Sequence, residues 1–143
     1  MISTPAYRIR TKITRPNCFD YEINFADGRT GNAQIMFFPA HVFDFTFLYD
    51  QLLKEGLKPN AVLTFINSFY PNGDLDSKNE KDALLMRRGI GSAVLDRIVK
   101  DSNEYGADAM YCSIASPSMA KFLKDKNGFT AHGNESFYKL FKA

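Results

Sequence analysis

Between residues 61 and 115 the apolar residues change their spacing twice, and that change limits the folds open to this chain. Ala61 to Phe69 is a strongly apolar run rich in β-forming residues and bounded by turn signals, so it reads as a buried strand. Ser92 to Tyr105 then sets Val94, Leu95, Ile98, Val99 and Tyr105 on one face of a helix. Gly106 follows as the residue just beyond its C-cap. Ala109 to Ala115 returns to strand. Ser116-Pro117 supplies an N-cap and a proline at the first position of a second helix. Met119, Phe122 and Leu123 are its apolar face, and Asn127-Gly128 stops it. Phe129 to His132 and Phe137 to Phe141 read as two final strands joined across Gly133-Asn134.

The first forty residues carry a period of two. Tyr7, Ile9, Thr11 and Ile13 alternate with Arg8, Arg10, Lys12 and Thr14, as a half-buried strand requires. Pro16-Asn17 interrupts the pattern, and Phe19 to Phe25 resumes it. Asp27-Gly28 is a hairpin signal, and Gln34 to Phe38 is the returning strand. In residues 40 to 56 the spacing of Phe43, Phe47, Leu48 and Gln51 to Leu53 fits a short helix ending near Gly56, or an irregular aromatic segment. Residues 70 to 82 break all periodicity, and a loop of that length in a compact domain is usually functional or mobile. The order predicts an α+β fold in one domain spanning 1–143: a mixed, mainly antiparallel sheet of six or seven strands flanked by helices.

Composition narrows the function. A net charge of +2 with only Arg87 and Arg88 adjacent argues against nucleic acid as a partner. Cys18 and Cys112 form neither a metal spacing nor a disulfide framework, so no metal is expected. No apolar run approaches the roughly 18 residues of a membrane span, and a signal-peptide pattern is missing, which together predict a cytoplasmic protein without membrane contact.

The chemistry gathers at Arg87-Arg88-Gly89-Ile90-Gly91-Ser92, directly before the best helix. The first N–H groups of a helix have no intrahelical acceptors, and the helix dipole makes that end partly positive. Glycines let an anion approach the backbone, and two arginines can pair with phosphate oxygens bidentately. Such a loop suits a diphosphate. The same glycines also serve a tight turn and close helix packing. A Walker loop would need a Gly-Lys-Ser/Thr step, a dinucleotide fingerprint a glycine at Val94, and a nucleophile elbow Gly-x-Ser-x-Gly; none is present.

Arg88-Gly89-Ile90-Gly91-Ser92-Ala93-Val94-Leu95 resembles the pyrophosphate motif Gln/Arg-x-x-Gly-x-Gly/Ala of the GNAT superfamily of acyl-CoA-dependent N-acyltransferases. The two glycines match, whereas the leading Gln/Arg position falls on Met86. Lys121-Phe122-Leu123-Lys124-Asp125-Lys126-Asn127-Gly128-Phe129 is similar to the family's helix ending in a Gly-Phe step, followed by a closing Phe-Tyr strand, here Phe137-Tyr138. The likeness covers residues 61 to 143; the family's usual pair of helices after the first strand is replaced by a hairpin.

The resemblance implies a GNAT-like sheet in which the strands 61–69 and 109–115 splay apart to hold the pantetheine arm of acetyl-CoA. Asn67, Ser68 and Phe69 would hold the arm, while Arg87, Arg88, Gly89, Ile90, Gly91 and Ser92 would hold the diphosphate. Ser116 falls where the family often places an Asn that contacts the cofactor, a position that also suits an N-cap. Leu123 falls where the family often has a proton-donating Tyr, and one extra residue separates it from Gly128-Phe129. Tyr70, Tyr111 and Cys112 remain candidates for that role, so no catalytic residue is assigned. His41 and His132 are isolated, and Asp74, Asp76, Glu80 and Asp82 read as a solvated loop. The implied activity is transfer of an acetyl group to an amine of a small molecule or peptide, in a chain with room to form a homodimer. The alternatives are an inactive acyl-CoA-binding domain and an interaction domain without CoA.

Overall fold

A computed structural model describes residues 6–44, 46–73, 89–113, 117–132 and 136–141. The chain is α+β, with a seven-stranded sheet in the order β1-β2-β3-β4-β5-β7-β6. Its strands are Tyr7–Arg15 (β1), Cys18–Phe25 (β2), Thr30–Pro39 (β3), Val62–Tyr70 (β4), Ala109–Ser113 (β5), Thr130–His132 (β6) and Ser136–Leu140 (β7). Helices are Phe47–Lys54 (α1), preceded by a 3₁₀ turn at Ala40–Phe43, then Ile90–Tyr105 (α2) and Pro117–Lys121 (α3). The last runs on as a π-helical turn, Phe122–Lys126. Contacts divide the chain into two compact units, 1–35 with 68–100 and 36–67 with 101–143. Within the strand 109–115 read from sequence, 114 and 115 lie outside the described residues.

In the first unit, alternation becomes the β1–β2 hairpin, antiparallel from Tyr7↔Phe25 to Ile13↔Phe19. Tyr21, Ile23 and Phe25 are buried at every second position. Ile13 departs from the expected half-burial and is 64% exposed, because β1 ends the sheet and its register slips between Ile13 and Arg15. The Asp27-Gly28 turn forms as read: the backbone N–H and Nε of Arg29 both donate to the Asp27 carboxylate, at 3.0 and 2.9 Å. Those donors hold the Asp27 carboxyl below its usual range. Arg97 of α2 donates to Thr11 Oγ1 on β1 at 3.2 Å, joining helix to hairpin inside this unit.

The second unit is built on a short helix. Thr46 caps α1 by accepting from the Tyr49 N–H at 3.2 Å, and Gly56, at φ 99, ends it. Leu48 and Leu52 turn inward and meet Leu63, Ala109 and Tyr138, while Phe47 is 86% exposed. Tyr138 is buried, and its hydroxyl donates to Glu55 Oε2. Burial, and then that carboxylate, push the Tyr138 phenol above its ordinary value, so it keeps its proton as a donor. On α2, Val94, Leu95 and Ile98 are buried as expected. Tyr105 instead keeps one face in solvent and stacks on Phe37 at 3.7 Å between ring centroids. Ser102 takes a buried place on the helix that apolar spacing did not mark.

Of the loop read from residue 70 onward, 71–73 form a turn as expected and Tyr70 alone belongs to a strand. Tyr70 closes β4, Pro71 and Asn72 are buried, and 74–82 lie outside the described residues. Backbones approach closely at this turn: a Cβ on Gly31 would stand 2.0 Å from the Pro71 carbonyl oxygen, and one on Gly73 2.2 Å from that of Thr30. Backbone cannot yield as a side chain tip would. Gly31→Ala is therefore expected to lower the unfolding free energy by about 2–3 kcal/mol, read as a lower urea midpoint with an unchanged m-value. A midpoint within error of the wild type would show that the two segments do not touch in solution.

Candidate functional site

β4 and β5 run parallel, and this pairing shapes the region singled out by the sequence. Their register extends from Leu63↔Ala109 to Ile66↔Cys112, while β4 itself continues to Tyr70. Asn67, Ser68 and Phe69 thus belong to β4, beyond the last register pair among the described residues. Asn67 is exposed, and Ser68 and Phe69 are half-buried. Residues 114 and 115, which complete the strand 109–115 read from sequence, lie outside the described residues, so the splay expected between the two strands falls on them.

Gly89 stands at the head of α2 with φ +78, a conformation that an L side chain rarely adopts, and its carbonyl accepts from the Ala93 N–H at 3.0 Å. Ile90, Gly91 and Ser92 form the first turn, so their N–H groups are the donors without intrahelical acceptors. The Ile90 side chain is 1% exposed and anchors the helix, which leaves its backbone for any ligand. Nothing stands within 4 Å of a Cβ placed on Gly89, so the approach to this turn is open among the described residues. Ser68, Phe69 and Gly89 to Ser92 fall in one compact unit, with Asn67 the last residue of the other segment. Arg87, Arg88 and Ser116 lie outside the described residues, as do Asp74, Asp76, Glu80 and Asp82.

The candidates for proton transfer separate by burial. Leu123 is fully buried and belongs to the core. The extra residue between it and Gly128-Phe129 is taken up in the π-helical turn, which Asn127 ties off by donating from Nδ2 to the Phe122 carbonyl at 2.8 Å. Tyr111 packs edge-on to Phe43 at 5.7 Å and stacks on Phe65 at 5.4 Å, in an aromatic cluster of the second unit. Tyr70 is 61% exposed. Burial pushes the Cys112 thiol up to about 12, so it is neither a thiolate nor a base at neutral pH. His41 is exposed and His132 half-buried. No group of three or more His, Cys, Asp or Glu among the described residues is placed to hold a metal, and no helix there is long and apolar enough to cross a membrane.

A further feature escaped the sequence reading. A groove of about 680 Å³ lies over the first unit and reaches Ser68 from the charged residues of β1 and β2. It does not include the Gly89 turn. Its signal was present in the alternation of β1 and β2, which puts Arg10, Lys12, Asp20 and Glu22 at alternate positions, but period alone does not say that such a face is concave.

No known family model matches the chain, and no curated protein sequence matches it.

The Cys112 shift has a pH consequence. Its thiol titrates near 9.0 in an unfolded chain and near 12 in the folded one, so its contribution is complete below pH 9 and is lost as pH rises toward 12. Each unit in that window removes up to about 1.4 kcal/mol. Urea unfolding between pH 8.5 and 10.5 should show a steeper loss in the wild type than in Cys112→Ala. Parallel slopes would place the thiol in contact with water.

Proposed function

We propose that this chain is an N-acyltransferase of the GNAT type that moves an acetyl group from acetyl-CoA to an amine. The observation that carries the reading is that the crossover between the parallel strands β4 and β5 enters α2 through Gly89, at φ +78, after β4 has run through Asn67, Ser68 and Phe69. That is the strand segment to which the resemblance assigns the pantetheine arm. The N–H groups of Ile90, Gly91 and Ser92, which have no intrahelical acceptors, behind Gly89 in a left-handed conformation, support the diphosphate half of the site.

In this reading the backbone of Asn67 to Phe69 aligns the arm and polarises the thioester carbonyl, and the N–H groups of Gly89 to Ser92 hold the diphosphate with Arg87 and Arg88. The amine nitrogen attacks the carbonyl carbon, an N–C bond forms and the C–S bond breaks. One proton leaves the amine, and the CoA thiolate takes a proton. Leu123 cannot supply that proton, and Cys112 at about 12 cannot accept one from the amine. Water or the exposed Tyr70 carries the proton, and the protein contributes orientation and charge stabilisation. The buried Leu123 favours one second reading, a domain that binds acyl-CoA without turning it over.

Acetyl-CoA at 100 times its dissociation constant should stabilise the fold by about 2.7 kcal/mol, a rise in Tm on the order of 5 to 10 °C for a domain of this size. Pantetheine without its diphosphate should do far less. Gly91→Glu should abolish the shift in a folded protein, and replacing Arg87 and Arg88 by Ala should reduce both the shift and its salt sensitivity. CoA release with an amine panel then separates enzyme from silent binder. An unmoved Tm in millimolar acetyl-CoA, with no heat of binding, overturns the reading.

A further inference from the structure

The groove of the first unit crosses four neighbouring strands. Arg10 and Lys12 come from β1, Asp20 and Glu22 from β2, Asn32 from β3, and Ser68 from β4. In the register Arg10 faces Glu22 and Lys12 faces Asp20, the arrangement of ordinary cross-strand ion pairs. The side chains are bonded otherwise. Asp20 Oδ1 accepts from Gln34 Nε2 at 2.7 Å and Glu22 Oε1 from Asn24 Nδ2 at 2.8 Å. Among the described residues no ion pair joins either carboxylate to Arg10 or Lys12. The two cations on β1 are therefore available to an incoming anion. A carboxylate has about four lone-pair sites, so Asp20 and Glu22 keep capacity for N–H donors after accepting one amide each.

Distance sets the length of what would fit. Three strand spacings of about 4.8 Å separate β1 from β4, roughly 14 Å in all. An extended chain covers about 3.3–3.6 Å per residue, so about four residues reach from Ser68 to Arg10 and Lys12. We propose that the groove is the acceptor site and that the acceptor is an extended peptide: its N-terminal amine lies at Ser68, its backbone N–H groups over Asp20 and Glu22, and an acidic side chain about three residues on meets Arg10 and Lys12. The assignment rests on the acyltransferase reading for the role of Ser68, whereas binding of the peptide depends on the groove alone.

Two amidated tetrapeptides test it, Ala-Ala-Ala-Glu and Ala-Ala-Ala-Lys, each with a free N-terminus. By calorimetry without acetyl-CoA, the wild-type chain should bind the Glu peptide at least tenfold more tightly. Arg10→Gln with Lys12→Gln should erase that preference, and Arg10→Glu with Lys12→Glu should invert it, with circular dichroism and Tm reporting that both variants are folded. With acetyl-CoA present, KM should follow the same order while acetyl-CoA affinity stays constant across the variants. Equal binding of the two peptides, or a preference that survives both variants, overturns the groove assignment even if acetyl-CoA binds and amines are acetylated. Peptide binding as expected, in a chain that binds no acetyl-CoA, overturns its role as acceptor site and the acyltransferase reading with it.

Discussion

The parallel pairing of β4 with β5 is the constraint on which the rest depends. Antiparallel neighbours can be joined by a two-residue turn, as β2 and β3 nearly are, but parallel neighbours need a crossover long enough to return the chain to the same end. Here the crossover contains α2, the longest helix among the described residues, and it brings the Gly89 turn into the connection that leaves β4. Among the described residues the parallel register runs from Leu63↔Ala109 to Ile66↔Cys112, and β4 continues to Tyr70. The glycine turn lies at the start of the helix that this parallel connection requires.

Packing decides which polar groups can take part in chemistry. In the second unit, Leu48 and Leu52 of α1 sit with Leu63, Ala109 and Tyr138, and the bond from Tyr138 to Glu55 ties the end of the helix to β7. An apolar surrounding raises the cost of ionising a group, so Cys112 is held as a thiol and Tyr138 as a phenol. Neither is suited to proton transfer at neutral pH. Leu123, at the place of the family's frequent tyrosine, is likewise spent on the core. Orientation and backbone donors are what a fold can provide to a reaction without any ionisable side chain.

Much of the framework was legible in the residues. Alternation marked β1 and β2, Asp27-Gly28 marked their following turn, and helical spacing marked α2 within two residues at its start. The short helix after Pro39 was half legible: its cap at Thr46 and its stop at Gly56 are local chemistry, but the outward turn of Phe47 is decided by which face the sheet offers. The same limit explains Tyr105, which fits the apolar stripe of α2 yet lies at the last turn, where one stacked ring replaces enclosure. It explains Ile13 too, since period two cannot say that a strand is the last of its sheet.

By itself the sequence determined the order and kind of the elements, the positive-φ glycines at turns and helix ends, and the glycine turn that opens α2. These follow from interactions among residues near one another in the chain: hydrogen bonds of a few residues' span, side-chain period, and the steric freedom of glycine. Tertiary structure alone decided which strands became neighbours, that β4 and β5 run parallel, and that Gly31 must admit the Pro71 carbonyl. It also decided that Asp20 and Glu22 bond to amides rather than to the cations opposite them. Each of these joins residues distant in sequence through packing and pairing, and a periodic pattern carries the face of an element without carrying the identity of what that face meets.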